Sequence, residues 1–201
     1  MMEMKHSTIP KKFYMRNPKE VAVDLLGKII TRRYGEKIIS GYIVEVEAYY
    51  GREDPASRAR RGGNLAETMR GEVGVALIYG IHRQWLFNVV AHEKNSVGAV
   101  LIRAVHPLKG LELMMKFRGT SNLKELTNGP GKWTKAFKID KKFHGTPLYL
   151  EGGELKITEG LRIEKDRIQY AFRIGVSRDL PTPLRFYIKD DPYVSRRRRN
   201  V

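Results

Sequence analysis

The chain contains no cysteine. Disulfides and thiolate metal ligands are therefore excluded, and a reducing interior is favoured. Five histidines are present (His6, His82, His92, His106, His144), but none falls in HxH or HExxH spacing. No metal and no other cofactor is expected from such a set. No run approaches the roughly 20 apolar residues that span a bilayer. Met1 to Pro10 lacks the apolar centre of a signal peptide. Without a basic amphipathic helix or a lipidation signal, a membrane partner is not expected either. Internal repeats and linker-like stretches are also absent.

Acidic residues are scarce. Asp and Glu total 22 against 38 Lys and Arg, a net charge of +16 in 201 residues, and the pI is about 10.0. Such a surface favours a polyanion, DNA or RNA. Charged residues make up 30% and hydrophobic ones 41%, a globular profile. The length fits one domain with a real core. We place that domain over residues 1–195. Residues 196–201, with the run Arg196-Arg197-Arg198-Arg199, read as a basic tail.

Local signals give a mixed order of elements. Asn17-Pro18-Lys19-Glu20 is a helix start, and the helix should run from Pro18 to Leu26 with Gly27 as its stop. Lys28 to Arg33 and Lys37 to Glu47 read as a hairpin around Tyr34-Gly35-Glu36. Gly51 to Arg70 is polar and Arg-rich, and reads as one long loop. Val73 to Tyr79 and Gln84 to Ala91 form a second hairpin with Gly80-Ile81-His82-Arg83 near its tip. Val97 to Val105 is nearly all apolar, a central strand that Pro107 should end. Arg103 within it needs an anionic partner. Leu108 to Arg118 has helical spacing, with Met114 and Met115 as core. Asn128-Gly129-Pro130-Gly131-Lys132 opens a helix through Phe137. That start could hold a phosphate or be a plain glycine-rich turn. Later strands are predicted at Leu155 to Thr158, Ile168 to Val176 and Leu184 to Ile188. The class is α+β, not alternating βαβ.

One strand carries chemistry. In Ile43 to Tyr49, alternation puts Tyr42, Val44 and Val46 on one face and Glu45, Glu47 and Tyr49 on the other. A carboxylate beside an aromatic ring suits a site that holds a flat ring and moves a proton. The plainer reading is an edge strand with a solvated polar face.

The motifs together resemble the alkyladenine (3-methyladenine) DNA glycosylase family. Glu45-Val46-Glu47-Ala48-Tyr49-Tyr50-Gly51-Arg52-Glu53-Asp54 is similar to its E-x-E-A-Y-x-G-x-x-D segment. Ile78-Tyr79-Gly80 matches its hairpin. Leu101-Ile102-Arg103-Ala104-Val105-His106-Pro107-Leu108 matches its LxRAxxPLxG strand, and Asn128 to Lys132 its GPxKL helix start. Arg173-Ile174-Gly175-Val176 and Pro183-Leu184-Arg185-Phe186-Tyr187 match its C-terminal segments. Order and spacing agree from about Tyr14 to Ser195.

The resemblance implies a single α+β domain: a curved, mostly antiparallel sheet flanked by helices, with a protruding β-hairpin. It implies a monomeric DNA repair enzyme that excises alkylated or deaminated purines from double-stranded DNA without a cofactor, in the nucleoid-associated cytoplasm of a prokaryote. By the same resemblance, Glu47 is the general base, Arg103 fixes it, and the Ile174 carbonyl completes a water site. Tyr49 and Asn88 contact the extruded base, and Tyr79 enters the DNA stack; Arg58, where the family has a histidine, could donate to a purine O6 or N7 or equally be a phosphate contact. Two positions depart from the family: Arg58 replaces a pocket histidine, and Ala76 a second stacking tyrosine. The competing readings are a non-catalytic minor-groove DNA-binding protein and an enzyme on a small or RNA-borne substrate. Glu47 argues against the first, because a pure DNA binder gains nothing from a carboxylate facing a polyanion.

Overall fold

The computed structural model describes residues 7–195; the N-terminal hexapeptide and the expected basic tail lie outside them. Eight strands form one antiparallel, open sheet in the order β3-β4-β5-β2-β1-β6, with β8 on β2 and β7 on β8. The strands are β1 (Ile29–Tyr34), β2 (Lys37–Tyr49), β3 (Ala76–Ile81), β4 (Gln84–Val90), β5 (Ala99–Lys109), β6 (Leu155–Thr158), β7 (Ile168–Ala171) and β8 (Arg185–Ile188). The helices are α1 (Pro18–Leu25), α2 (Gly63–Arg70), α3 (Leu111–Arg118) and α4 (Pro130–Ala136). This is the expected α+β class, and no described helix is long and apolar enough to cross a membrane.

The long strand β2 organises the rest. Its first half pairs with β1 through the two-residue turn Gly35-Glu36. Its second half, Glu45 to Glu47, pairs with β8 on that same edge. β5 runs along the other edge. Glu47 thus lies between Leu101 of β5 and Arg185 of β8. This overturns the solvated edge-strand reading: both Glu45 and Glu47 are 0% exposed.

Two register shifts separate β2 from β5 near the glutamates. Ile43 faces Val105 and Glu45 faces Ala104, so Val44 is an extra residue on β2. Val46 then faces Ile102, so Arg103 is extra on β5. Bulges of this kind re-aim side chains beside functional sites.

Helix α1 starts as its sequence dictates. The Asn17 side chain accepts from the Lys19 N–H at 3.0 Å, and Pro18 occupies the first turn. Gly27 follows with φ +82°, the left-handed conformation of a helix stop. Val21, Ala22 and Leu25 bury one face in the core. Trp133 pins α4 to the sheet: it is fully buried, donates from Nε1 to the Ile102 carbonyl at 2.8 Å, and meets Phe87 edge-on.

Several local expectations needed correction. Gly51 to Arg70 is not one loop; it contains a 3₁₀ turn, Arg58–Arg61, and α2. The helix has no capping side chain to announce it, yet Ala66 and Met69 bury one side of it. Pro107 does not end β5, which runs to Lys109. Beyond Leu101, β4 no longer pairs with β5, so a proline on that stretch breaks no ladder on the β4 side. Leu111 is exposed although Met114 is core. β7 stops at Ala171 because Asp179 accepts from the Arg173 backbone N–H at 3.1 Å and takes the chain off the ladder.

Candidate active site

Glu47 is held by three donors or cations. The Tyr49 hydroxyl donates to Oε2 at 2.8 Å and the Ile174 N–H to Oε1 at 2.8 Å. Arg103 Nη1 lies 3.2 Å from Oε1. Burial pushes the Glu47 carboxyl above the ordinary glutamate range, and these three groups offset only part of that rise. Ile174 makes this contact through its amide N–H. The chain bends at Ile174-Gly175, where Gly175 has φ +75°.

A second carboxylate sits behind the first. Glu45 Oε1 accepts from Arg103 Nε at 3.1 Å, Arg185 Nε at 2.6 Å and Ser195 Oγ at 2.8 Å, and Oε2 accepts from the Ser195 N–H at 2.7 Å. Two guanidinium groups thus face two buried carboxylates, and the cluster is balanced in charge.

Arg173 braces the other side. Its buried guanidinium binds both oxygens of Asp54, at 2.7 and 2.8 Å, and Asp179 Oδ1 at 2.6 Å. It also donates to the Ala48 carbonyl at 3.0 Å and lies 4.5 Å from the Tyr49 ring centroid. Burial would raise the Asp54 carboxyl, but Arg173 and the N–H groups of Tyr50 and Ala56 hold it below the ordinary aspartate range.

In front of Glu47 lies a cavity of about 140 Å³. Its walls include Tyr49, Arg58, Tyr79, Asn88, Arg103 and Ile174. The structure therefore brings all the sequence-predicted site residues together: six on the cavity wall, and Glu47 just behind three of them. The Asn88 side chain is oriented by a 3.1 Å bond from its Nδ2 to the Leu77 carbonyl. Arg58 lies 5.6 Å from the Tyr79 ring centroid.

Tyr79 is not at the hairpin tip. It pairs with Leu86, and the turn lies beyond Gly80 and Ile81, formed by His82 and Arg83, both at positive φ and both exposed. The ring is half-buried and turned to the cavity, with its hydroxyl near Arg58 and Asn88. Insertion into a DNA stack would require it to swing outward. At the α4 start, Lys132 is committed to Glu125 Oε2 at 2.5 Å and Asn128 Oδ1 at 2.8 Å. This favours the plain glycine-rich turn.

The profile of the methylpurine-DNA glycosylase family matches residues 12–192. The chain belongs to that family. Relatives named as candidate 3-methyladenine DNA glycosylases agree over nearly their full length. One from Aeropyrum pernix is 43% identical over 94% of this chain and 94% of its own. Another from Carboxydothermus hydrogenoformans is 39% identical over 94% of this chain and 99% of its own. A third, from Bacillus subtilis, is 38% identical over 97% of this chain and all of its own. Membership makes this chain a DNA glycosylase with DNA as its macromolecular substrate, in keeping with its charge.

Sequence reasoning assigned no role to four residues of the glycosylase site: Glu45, Arg185, Arg173 and Asp54. The signal was available for Arg185, a charged residue between Leu184 and Phe186, which is the pattern that marked Arg103. For Arg173 and Asp54, 119 positions apart, no local signal exists.

Proposed function

We propose that this glycosylase hydrolyses the N-glycosidic bond of a damaged purine flipped out of duplex DNA, acting as a monomer and leaving an abasic site. The observation that carries this reading is Glu47, a buried carboxylate held by Arg103, Tyr49 and Ile174 directly behind a cavity those three residues line. The cavity is smaller than the roughly 300–1,000 Å³ of drug-sized ligand sites. It suits one base rather than a whole nucleotide.

A base inside the stack is out of reach of such a cavity, so the nucleotide must be extruded. Tyr49 then stacks on the base; stacking of this kind contributes roughly 1–3 kcal/mol. Asn88 and Arg58 meet its edges. Glu47 takes a proton from the water that attacks the sugar C1′, and its charge stabilises the cationic sugar as the base leaves. A carboxyl raised toward neutrality is the better base for this step. Arg103 positions Glu47 and supports its ionised form.

Tyr79 swings from the cavity wall as the base enters and fills the gap left in the duplex, with the exposed turn His82-Arg83 leading it into the minor groove. Duplexes that each carry one lesion, incubated with the purified protein, test the reading. Release of free base with an intact abasic strand is the expected result. Binding to every duplex without base release would instead support a non-catalytic binder.

A further inference from the structure

Both aromatic walls of the base cavity already face a guanidinium group. Arg173 lies 4.5 Å from the Tyr49 ring centroid, and Arg58 lies 5.6 Å from that of Tyr79. The two arginines differ in what balances them. Arg173 is neutralised by Asp54 and Asp179. Arg103, the other arginine on the wall, is matched by Glu45 and Glu47. Arg58 meets Tyr79 and forms no ion pair among the described residues. No Asp or Glu lines the cavity. Arg58 is thus the wall cation with no carboxylate partner of its own among the described residues.

Damaged purines fall into two charge classes. A purine alkylated at N3 or N7 and still joined to its sugar carries a formal positive charge. A deaminated purine, whose 6-amino group has become a carbonyl, is neutral and presents O6 beside N7. A cationic base gains from stacking on the negative face of an aromatic ring, but here a guanidinium already lies over each ring and weakens that attraction, Arg173 from outside the cavity lining and Arg58 from the wall itself. The cationic base would also meet the like charge of Arg58 at short range on the cavity wall. A neutral 6-oxopurine avoids both penalties. It offers Arg58 two acceptors in the arrangement by which arginine reads guanine. Normal guanine has the same acceptors, but its intact pairing holds it in the stack.

We propose that Arg58 makes this pocket discriminate by charge, favouring neutral 6-oxopurines such as hypoxanthine over cationic N-alkylpurines. The proposal rests on the glycosylase reading above and gives it a substrate class. Cationic purines depart more easily even without an enzyme, so the informative quantity is how substitution changes the ratio of rates.

The test is single-turnover base release from two duplexes, one with a single hypoxanthine and one with a single 7-methylguanine. It compares the parent with Arg58→Gln and Arg58→Lys, after thermal melts confirm folding. Arg58→Gln should lower the hypoxanthine-to-7-methylguanine rate ratio by about tenfold, equivalent to ~1.4 kcal/mol of barrier difference. Arg58→Lys keeps the charge but loses the fork. It should still disfavour 7-methylguanine while releasing hypoxanthine more slowly. An unchanged ratio, with both rates falling together and the salt slope of binding dropping by about 0.9, would identify Arg58 as a phosphate contact and overturn the proposal. If the parent releases neither base, the glycosylase reading itself fails.

Discussion

Arg103 holds two carboxylates at once, donating from Nε to Glu45 at 3.1 Å and standing 3.2 Å from Glu47 through Nη1. It can do so because it is the extra residue of a bulge on β5, opposite the strand that carries both glutamates. The arrangement makes Arg103 a positioning residue for Glu47. Arg103→Met should raise the already elevated Glu47 pKa further, because the charge that favours the ionised form is gone. Its remaining activity should therefore need a higher pH than the parent's. Arg103→Lys should restore part of the shift. A pH–rate profile that keeps its position in Arg103→Met would show that Arg103 does not act through Glu47.

Glu47→Gln preserves shape and the acceptor for Ile174, but removes the base. Base release should fall by at least about a hundredfold, the lower end of what a general base contributes. Affinity for a duplex with an abasic-site mimic should be nearly unchanged. Loss of binding together with activity would reassign Glu47 to a structural role.

The pH dependence of the parent has a definite sign. Glu47 works deprotonated, and its folded-state pKa lies above the ordinary glutamate value. Single-turnover rates should thus fall with decreasing pH at a point above the ordinary range near 4.3. An acid limb at or below that value would mean that some other group limits the rate.

Asp54→Asn tests the brace behind Tyr49. It leaves a buried guanidinium with Asp179 as its remaining carboxylate, and should cost about 3 kcal/mol in denaturant unfolding at neutral pH. The parent's Asp54 is depressed below its ordinary pKa. Its contribution is therefore present above that value and lost as pH falls through the depressed one. The parent and Asp54→Asn should converge in stability at low pH. A gap that persists there would contradict the assignment.

Tyr79→Ala should weaken binding to lesion-bearing duplex more than to undamaged duplex, since only the former needs the gap filled. Equal losses on both would leave Tyr79 as pocket lining alone. Binding overall should fall with salt, with a log–log slope of about −0.9 per phosphate neutralised.

Much of the site was legible in sequence because its chemistry is carried by residue types that are costly where they stand. Strand alternation set Glu47 beside Tyr49 but left a solvated face open, and the family resemblance supplied its role; Arg103 is conspicuous as a cation in an apolar strand that must find an anion. The α1 boundaries were equally readable, since Asn17, Pro18 and Gly27 act through the backbone of their immediate neighbours. The helix α2 was not readable: its eight residues lack a capping side chain, and only packing of Ala66 and Met69 fixes them.

The sequence by itself determined the charge, the α+β class and which side chains could perform acid–base work. These depend on composition and on periods of two to four residues. Tertiary structure decided that Glu47 is buried rather than solvated, because β8 arrives from about 140 residues away to cover its edge of β2. It also decided that Arg173 would lock Asp54, that Ile174 would reach Glu47, and that Tyr79 would turn inward. Each of these is a contact between segments whose separation along the chain carries no periodic signal, so only the folded sheet brings them together.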